Sequence, residues 1–168
     1  MEEIRLGLLS PEEATDQVTA LVGARPPAGL VEEVYARAEG HPFFTEQLVA
    51  AAVTDSGQLA QPVALPARLA ELLIARVARC GPGAQAVLSV LAVAGRPFTE
   101  DMVGEVTELN SGRVRAAVRE VTEARLLAVA VAGGHQLRHA LLGEAVTASC
   151  FQVSGSRCTN GWRARWRP

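Results

Sequence analysis

Two short segments hold the residues of this chain best suited to chemistry. One reads Gly40-His41-Pro42-Phe43-Phe44-Thr45-Glu46-Gln47-Leu48. The other, about a hundred residues on, reads Leu137-Arg138-His139-Ala140-Leu141-Leu142-Gly143-Glu144-Ala145. A phosphate-cradling Walker A loop needs a lysine whose ammonium reaches the β- and γ-phosphates. All 16 basic side chains here are arginine, so the chain cannot carry that loop. No nucleophile lies in a recognisable arrangement with a base, and no two carboxylates form a convincing acid–base pair. Cys80, Cys150 and Cys158 are odd in number and lack the spacing of metal ligands, which reads as unpaired cytosolic thiols. Read singly, these residues outline no catalytic site.

Taken singly, each has a plain structural meaning. Pro42 suits the first position of a helix, and His139 reads as a cap-region or half-buried histidine. Phe43 and Phe44 read as core. Arg138 has two open roles, pairing with an acid or facing a phosphate. His135 reads as a hairpin surface residue. Glu12, Glu13, Glu32 and Glu33 read as solvated first-turn charges that suit helix N-termini.

The elements that must position these residues are mostly helical. Apolar residues make up 49% of 168, chiefly Ala, Val and Leu with few aromatics, which favours packed helices over a β-sandwich. Ile4–Leu9 reads as one short strand. Ser10-Pro11-Glu12-Glu13 then opens a helix, with Ser10 as cap and Glu13 completing a capping box. Val18, Leu21 and Val22 give it an apolar face before Gly23. A second helix falls near Gly29–Ala38, with Leu30, Val31 and Val34 inward and Gly40 as the stop. Pro42 opens a third, running to about Thr54. Residues 55–65 read as a loop. A helix follows from Pro66 to Arg79, with Leu69, Leu72, Leu73, Ile74 and Val77 as its stripe. A very apolar, central helix then runs to Gly95, and a short one is capped by Thr99. Ser111 caps another to about Ala124, with Val114, Ala117, Val118 and Val121 facing in. Leu126–Val131, a Gly133-Gly134 turn and His135–Arg138 read as a β-hairpin, and a last helix begins near His139. Three helices followed by a hairpin is the order of a winged helix.

Charge is unevenly spread. Residues 1–150 hold 12 arginines against all 18 acids, a net of −6, whereas 151–168 hold four arginines and no acid. A body at −6 is a poor match for nucleic-acid phosphates. From Cys150 the sequence loses its helical period and gains both tryptophans, Trp162 and Trp166, among Arg163, Arg165 and Arg167. One reading is a disordered basic tail and another a nucleic-acid arm. The reading preferred here is an out-of-frame product: a one-base slip with GC-rich codons turns this tail into amphipathic helical text that continues the body. No stretch approaches the roughly 20 apolar residues of a membrane span. The acidic start, Met1-Glu2-Glu3, is unlike a secretory signal, so the expected location is cytoplasmic.

Gly40-His41-Pro42-Phe43-Phe44 followed by Glu46-Gln47-Leu48 resembles the G-N-P-F-F-x-E-E-L segment of STAND-type signalling ATPases. These include large LuxR-type bacterial regulators and the AAA-like domains fused to some adenylate cyclases. Ile4-Arg5-Leu6 with Leu8-Leu9-Ser10 resembles the exit from that family's last core strand. Leu65-Pro66 through Arg79 resembles its L-P-x-x-L-x-x-L-L-x-x-R stretch, and Val90 to Phe98 its winged-helix core segment. Leu137-Arg138-His139-Ala140-Leu141 resembles its F-R-H-A-L motif. Residues 4–149 are covered, in the family's order. The chain departs at His41, where Asn is usual, at Leu137, where an aromatic is frequent, and at Thr147, near the usual Tyr. The resemblance implies that Pro42 lies against adenine in a helical lid. It implies that His139 reaches the β-phosphate of ADP from the winged helix, with Gly40 and Arg138 beside them. Lid and winged helix would then close over ADP as an off state that ATP exchange releases.

The expectation is thus a mainly α chain. An end of ATPase core with a helical lid occupies 1–62, a winged-helix domain with one small β-hairpin 63–149, and an aberrant tail 150–168. It would be a truncated regulatory fragment, no enzyme itself, that transmits the ADP/ATP state. ATP or ADP would belong to the intact parent and not to the isolated chain. Its partners would be a missing N-terminal ATPase core and C-terminal effector domains, with DNA reached only through those and no membrane. The alternative is a free-standing winged-helix DNA-binding transcription factor. In it, Ser111–Ala124 would be the recognition helix, presenting Arg113, Arg115 and Arg119 but also Glu120 and Glu123.

Overall fold

A computed structural model describes residues 7–53, 63–131 and 133–153. The first part of the expected strand (Ile4–Leu6), residues 55–62 of the expected loop and the tail beyond Val153 lie outside the described residues, whereas residues 150–153, expected to open the aberrant tail, continue the last helix. The chain is mainly helical with one small antiparallel hairpin, as expected. Its contacts sort it into two compact units, residues 1–69 and 70–168.

The first unit is built on three helices, α1 (Pro11–Val22), α2 (Ala28–Ala38) and α3 (Pro42–Ala52), and each packs on the other two. The capping box forms as read. Ser10 Oγ accepts from the Glu13 N–H at 3.3 Å, and the Glu13 carboxylate accepts from the Ser10 N–H at 2.8 Å. Helical spacing puts Ala14 and Val18, then Leu30, Val34 and Ala38, then Leu48, Val49 and Ala52 on inward faces, all buried. Leu21, in the last turn of α1, was expected inward but is 43% exposed, although helical spacing puts it on the same face as Ala14 and Val18. Glu33 is not the solvated charge expected: its Oε1 accepts from the Val63 N–H at 2.7 Å, and Arg37 donates to the Val63 carbonyl. Two charged side chains of α2 thereby satisfy both backbone groups of a loop residue that no ladder would pair.

α4 (Ala67–Ala78) leads into the second unit. There α5 (Pro82–Ala94) is the hub, contacting α6 (Glu100–Thr107), α7 (Ser111–Glu123), α8 (Ala140–Val153) and the hairpin of β1 (Leu127–Val129) and β2 (His135–Leu137). Val87, Leu88, Val90 and Leu91 of α5 are buried. So are Val114, Ala117, Val118 and Val121 of α7, as their spacing predicts. Leu72, expected in the apolar stripe of α4, and Val93, in the very apolar α5, are each 49% exposed. Thr99 caps α6 as read. The cap of α7 is Asn110, one residue before the expected Ser111; its side chain accepts from the Arg113 N–H at 3.0 Å. Beyond the hairpin, Phe98 pairs with His135 through both backbone groups, so the sheet gains a one-residue third rung on the far side of β2. Gly134 lets that rung close, since a Cβ there would stand 2.8 Å from the Phe98 carbonyl oxygen.

Candidate functional site

The structure places Gly40 and Pro42 together at the α2–α3 corner. The chain turns left-handed at Glu39 (φ 52) and again at Gly40 (φ 74), so the helix stop begins one residue before the expected glycine. Gly40 is required on two counts. Its φ suits a residue without Cβ, and a Cβ there would lie 2.5 Å from the Leu9 carbonyl oxygen. The approach is held by the Leu9 N–H donating to the Gly40 carbonyl at 2.8 Å. His41 is the N-cap of α3; its carbonyl accepts from the Thr45 N–H at 3.0 Å, and its ring lies 4.8 Å from that of Phe44. Pro42 takes the first helical position and is exposed, while its carbonyl accepts from Gln17 Nε2 of α1 at 3.1 Å. An exposed pyrrolidine ring, held through its carbonyl, is a rigid apolar contact surface. Phe44 is core, as read. Phe43 is 45% exposed, against expectation, because the turn of α3 that buries Phe44 carries its neighbour outward.

Arg138 and His139 sit together at the β2–α8 corner. The Arg138 N–H closes the hairpin onto the Leu126 carbonyl at 2.9 Å, and its side chain is exposed. His139 is half-buried, immediately before α8, and its carbonyl accepts from the Leu142 N–H at 3.1 Å. Leu141 and Leu142 anchor that first turn in the core, so the imidazole sits beside a helix start of fixed position. Such an end attracts anions. The four candidate residues therefore form two local pairs, one in each unit.

Other polar groups do structural work that spacing did not disclose. His135, read as a surface residue, bonds Phe98 through its backbone and brings Nε2 within 3.8 Å of Glu100 Oε1. Glu120 is also committed. Its Oε1 accepts from the N–H of Gly81, the N-cap of α5, at 2.6 Å. Burial, and secondarily the Glu120 charge, push the Cys80 thiol above its ordinary value, which makes it a poor nucleophile. Arg113, Arg115 and Arg119 of α7 are exposed. The α6–α7 groove beside them, about 680 Å³, is lined by Glu100, Asp101 and Glu105 as well as Arg115, a poor seat for phosphate.

Among the described residues, no group of three or more His, Cys, Asp or Glu could hold a metal ion. No helix among them is long and apolar enough to cross a membrane. No family model matches the chain, and neither a curated protein nor a solved structure matches it.

Proposed function

We propose that this chain is the regulatory part of a nucleotide-dependent signalling ATPase of STAND type. It would pair a lid fragment with a winged helix and report the ADP or ATP state without performing hydrolysis. Two local observations support the reading: within the first unit Pro42 is exposed at the start of α3, and within the second His139 is half-buried just ahead of α8. The element order α5, α6, α7, β1, β2 supports a winged helix. The chain has no lysine, so on this reading a partner segment of a parent would supply the phosphate cradle, together with the ATPase core and effector domains. In that parent Pro42 contacts adenine, His139 and Arg138 face the diphosphate, and Gly40 shapes the corner. Calorimetry of the isolated chain with ADP should show no saturable heat; a micromolar affinity would refute the reading. In the flanking DNA, a phosphate-loop lysine encoded upstream in frame supports it, and an upstream frame without one refutes it. The same DNA decides whether residues 150–168 are out of frame.

One observation favours a second reading, DNA binding through α7: Arg113, Arg115 and Arg119 all face solvent. Glu123 on the same helix and the acidic α6 groove oppose it. A salt-dependent shift of duplex DNA that is lost on changing these three arginines together to glutamine would establish it.

A further inference from the structure

The hairpin's hydrogen bonding alternates in a way that leaves one edge unused. Arg138 N–H bonds the Leu126 carbonyl, and Ala130 N–H bonds the Gly134 carbonyl. In the register Leu127–Leu137, Ala128–Gln136, Val129–His135, the even residues of β1 therefore face β2. His135, an odd residue, spends both backbone groups on Phe98 at the opposite side. It follows that the N–H and C=O of Leu127 and Val129 point off the outer edge of β1. No described residue's backbone pairs with them.

Edges are guarded by shortness, charge, proline, bulges or cover, and of these β1, three residues long, shows shortness. Leu126 to Gly134 contain no charged residue and no proline, in a body whose net charge is −6. Val129 is 75% exposed, although it shares a strand face with Leu127, which is 4% exposed.

We propose that this edge is a self-association surface, where two copies of the chain pair β1 against β1, antiparallel, about a two-fold axis through Ala128. The committed partner is a second copy for two reasons. An uncharged strip lets two net-acidic copies meet without like-charge contact. The two-fold register also completes both edges at once. Leu127 exchanges both backbone bonds with the partner's Val129, and Val129 with the partner's Leu127, giving four bonds. The exposed Val129 then lies beside a leucine already rooted in a core. The axis uses up both edges, so assembly closes at the dimer. Three residues per copy make a small interface, well under the roughly 1,200 Å² of stable complexes, so the dissociation constant falls near roughly 10⁻⁴ M.

Sedimentation equilibrium of the full chain over a concentration series reads this directly. The mass average should rise with concentration and level at twice the monomer. Val129→Lys should weaken association at least about tenfold through edge charge. Val129→Pro, which keeps an apolar side chain but loses the outward N–H, should weaken it as well. Val93→Lys, at an equally apolar exposed site on α5, should leave it unchanged. A chain that stays monomeric to roughly 1 mM, a mass passing the dimer, or variants at Val129 that associate like the parent would each overturn the proposal.

Discussion

At the scale of single residues, Gly40 has the sharpest requirement. Its left-handed backbone and its contact with Leu9 act together, so Gly40→Ala adds both backbone strain and a steric overlap. The expected loss is about 2–4 kcal/mol from the first unit, read by denaturant unfolding followed at Tyr35, the chain's one tyrosine. A loss below about 0.5 kcal/mol would mean that the corner is loose. Thr45 carries the opposite sign. Its side chain is fully buried and its hydroxyl has no hydrogen-bond partner among the described residues. Thr45→Val should therefore be neutral or stabilising by up to about 1 kcal/mol in the same assay. Glu13 supplies a pH test. Its bond from the Ser10 backbone N–H, then that with the Ser10 side chain, holds its carboxyl below the ordinary glutamate value. A lowered value means that the capping contribution is complete above the unfolded glutamate value and is lost as pH falls through the folded one. Carboxyl titration by NMR should show Glu13 below the ordinary glutamate value, and Ser10→Ala, which keeps the backbone N–H, should raise it in part.

At the scale of elements, α7 separates a structural role from a recognition role. Glu120 caps α5 through Gly81, whereas Arg119 beside it faces solvent. Glu120→Ala should cost the second unit about 1 kcal/mol in thermal unfolding and Arg119→Ala almost nothing. The reverse order would mean that the capping bond carries no weight. The same elements show what the sequence could disclose. The capping box at Ser10, proline at the start of α3 and the four inward positions of α7 follow from local chemistry and period, and all were legible. Adjacent Asn110 and Ser111 are both good caps, so only coordinates could choose between them. Phe43 could not be phased, because two adjacent phenylalanines at a helix start fit either face until α1 is seen to hold Pro42. The Phe98 rung has no period at all. Glu39, Glu108 and Arg125 adopt left-handed backbone without being glycine, a choice that tertiary contacts impose and composition hides. Of the candidate site, the two corners were legible, whereas the Glu33–Arg37 clamp on Val63 was not: its partner is about thirty residues distant in sequence and lies in a loop.

At the scale of the whole molecule, charge separation decides between the two readings of function. Residues 1–150 are net −6 and carry the α7 arginines; residues 151–168 hold Arg157, Arg163, Arg165 and Arg167 with no acid. Non-specific affinity for duplex DNA follows the number of phosphates neutralised, with a salt slope near −0.9 for each. If the signalling reading holds, any retention of DNA comes from those four arginines, and its slope is no steeper than about −4. Changing the four together to glutamine should abolish retention at about 50 mM salt, while changing Arg113, Arg115 and Arg119 should leave it intact. A DNA-reading α7 requires the opposite pattern, because an acidic groove flanks it and only its own arginines would overcome that field. Electrophoretic mobility shifts of the two variants across a salt series distinguish the cases. Binding that survives loss of the four tail arginines and falls with the α7 set would remove the main physical argument for a regulatory fragment.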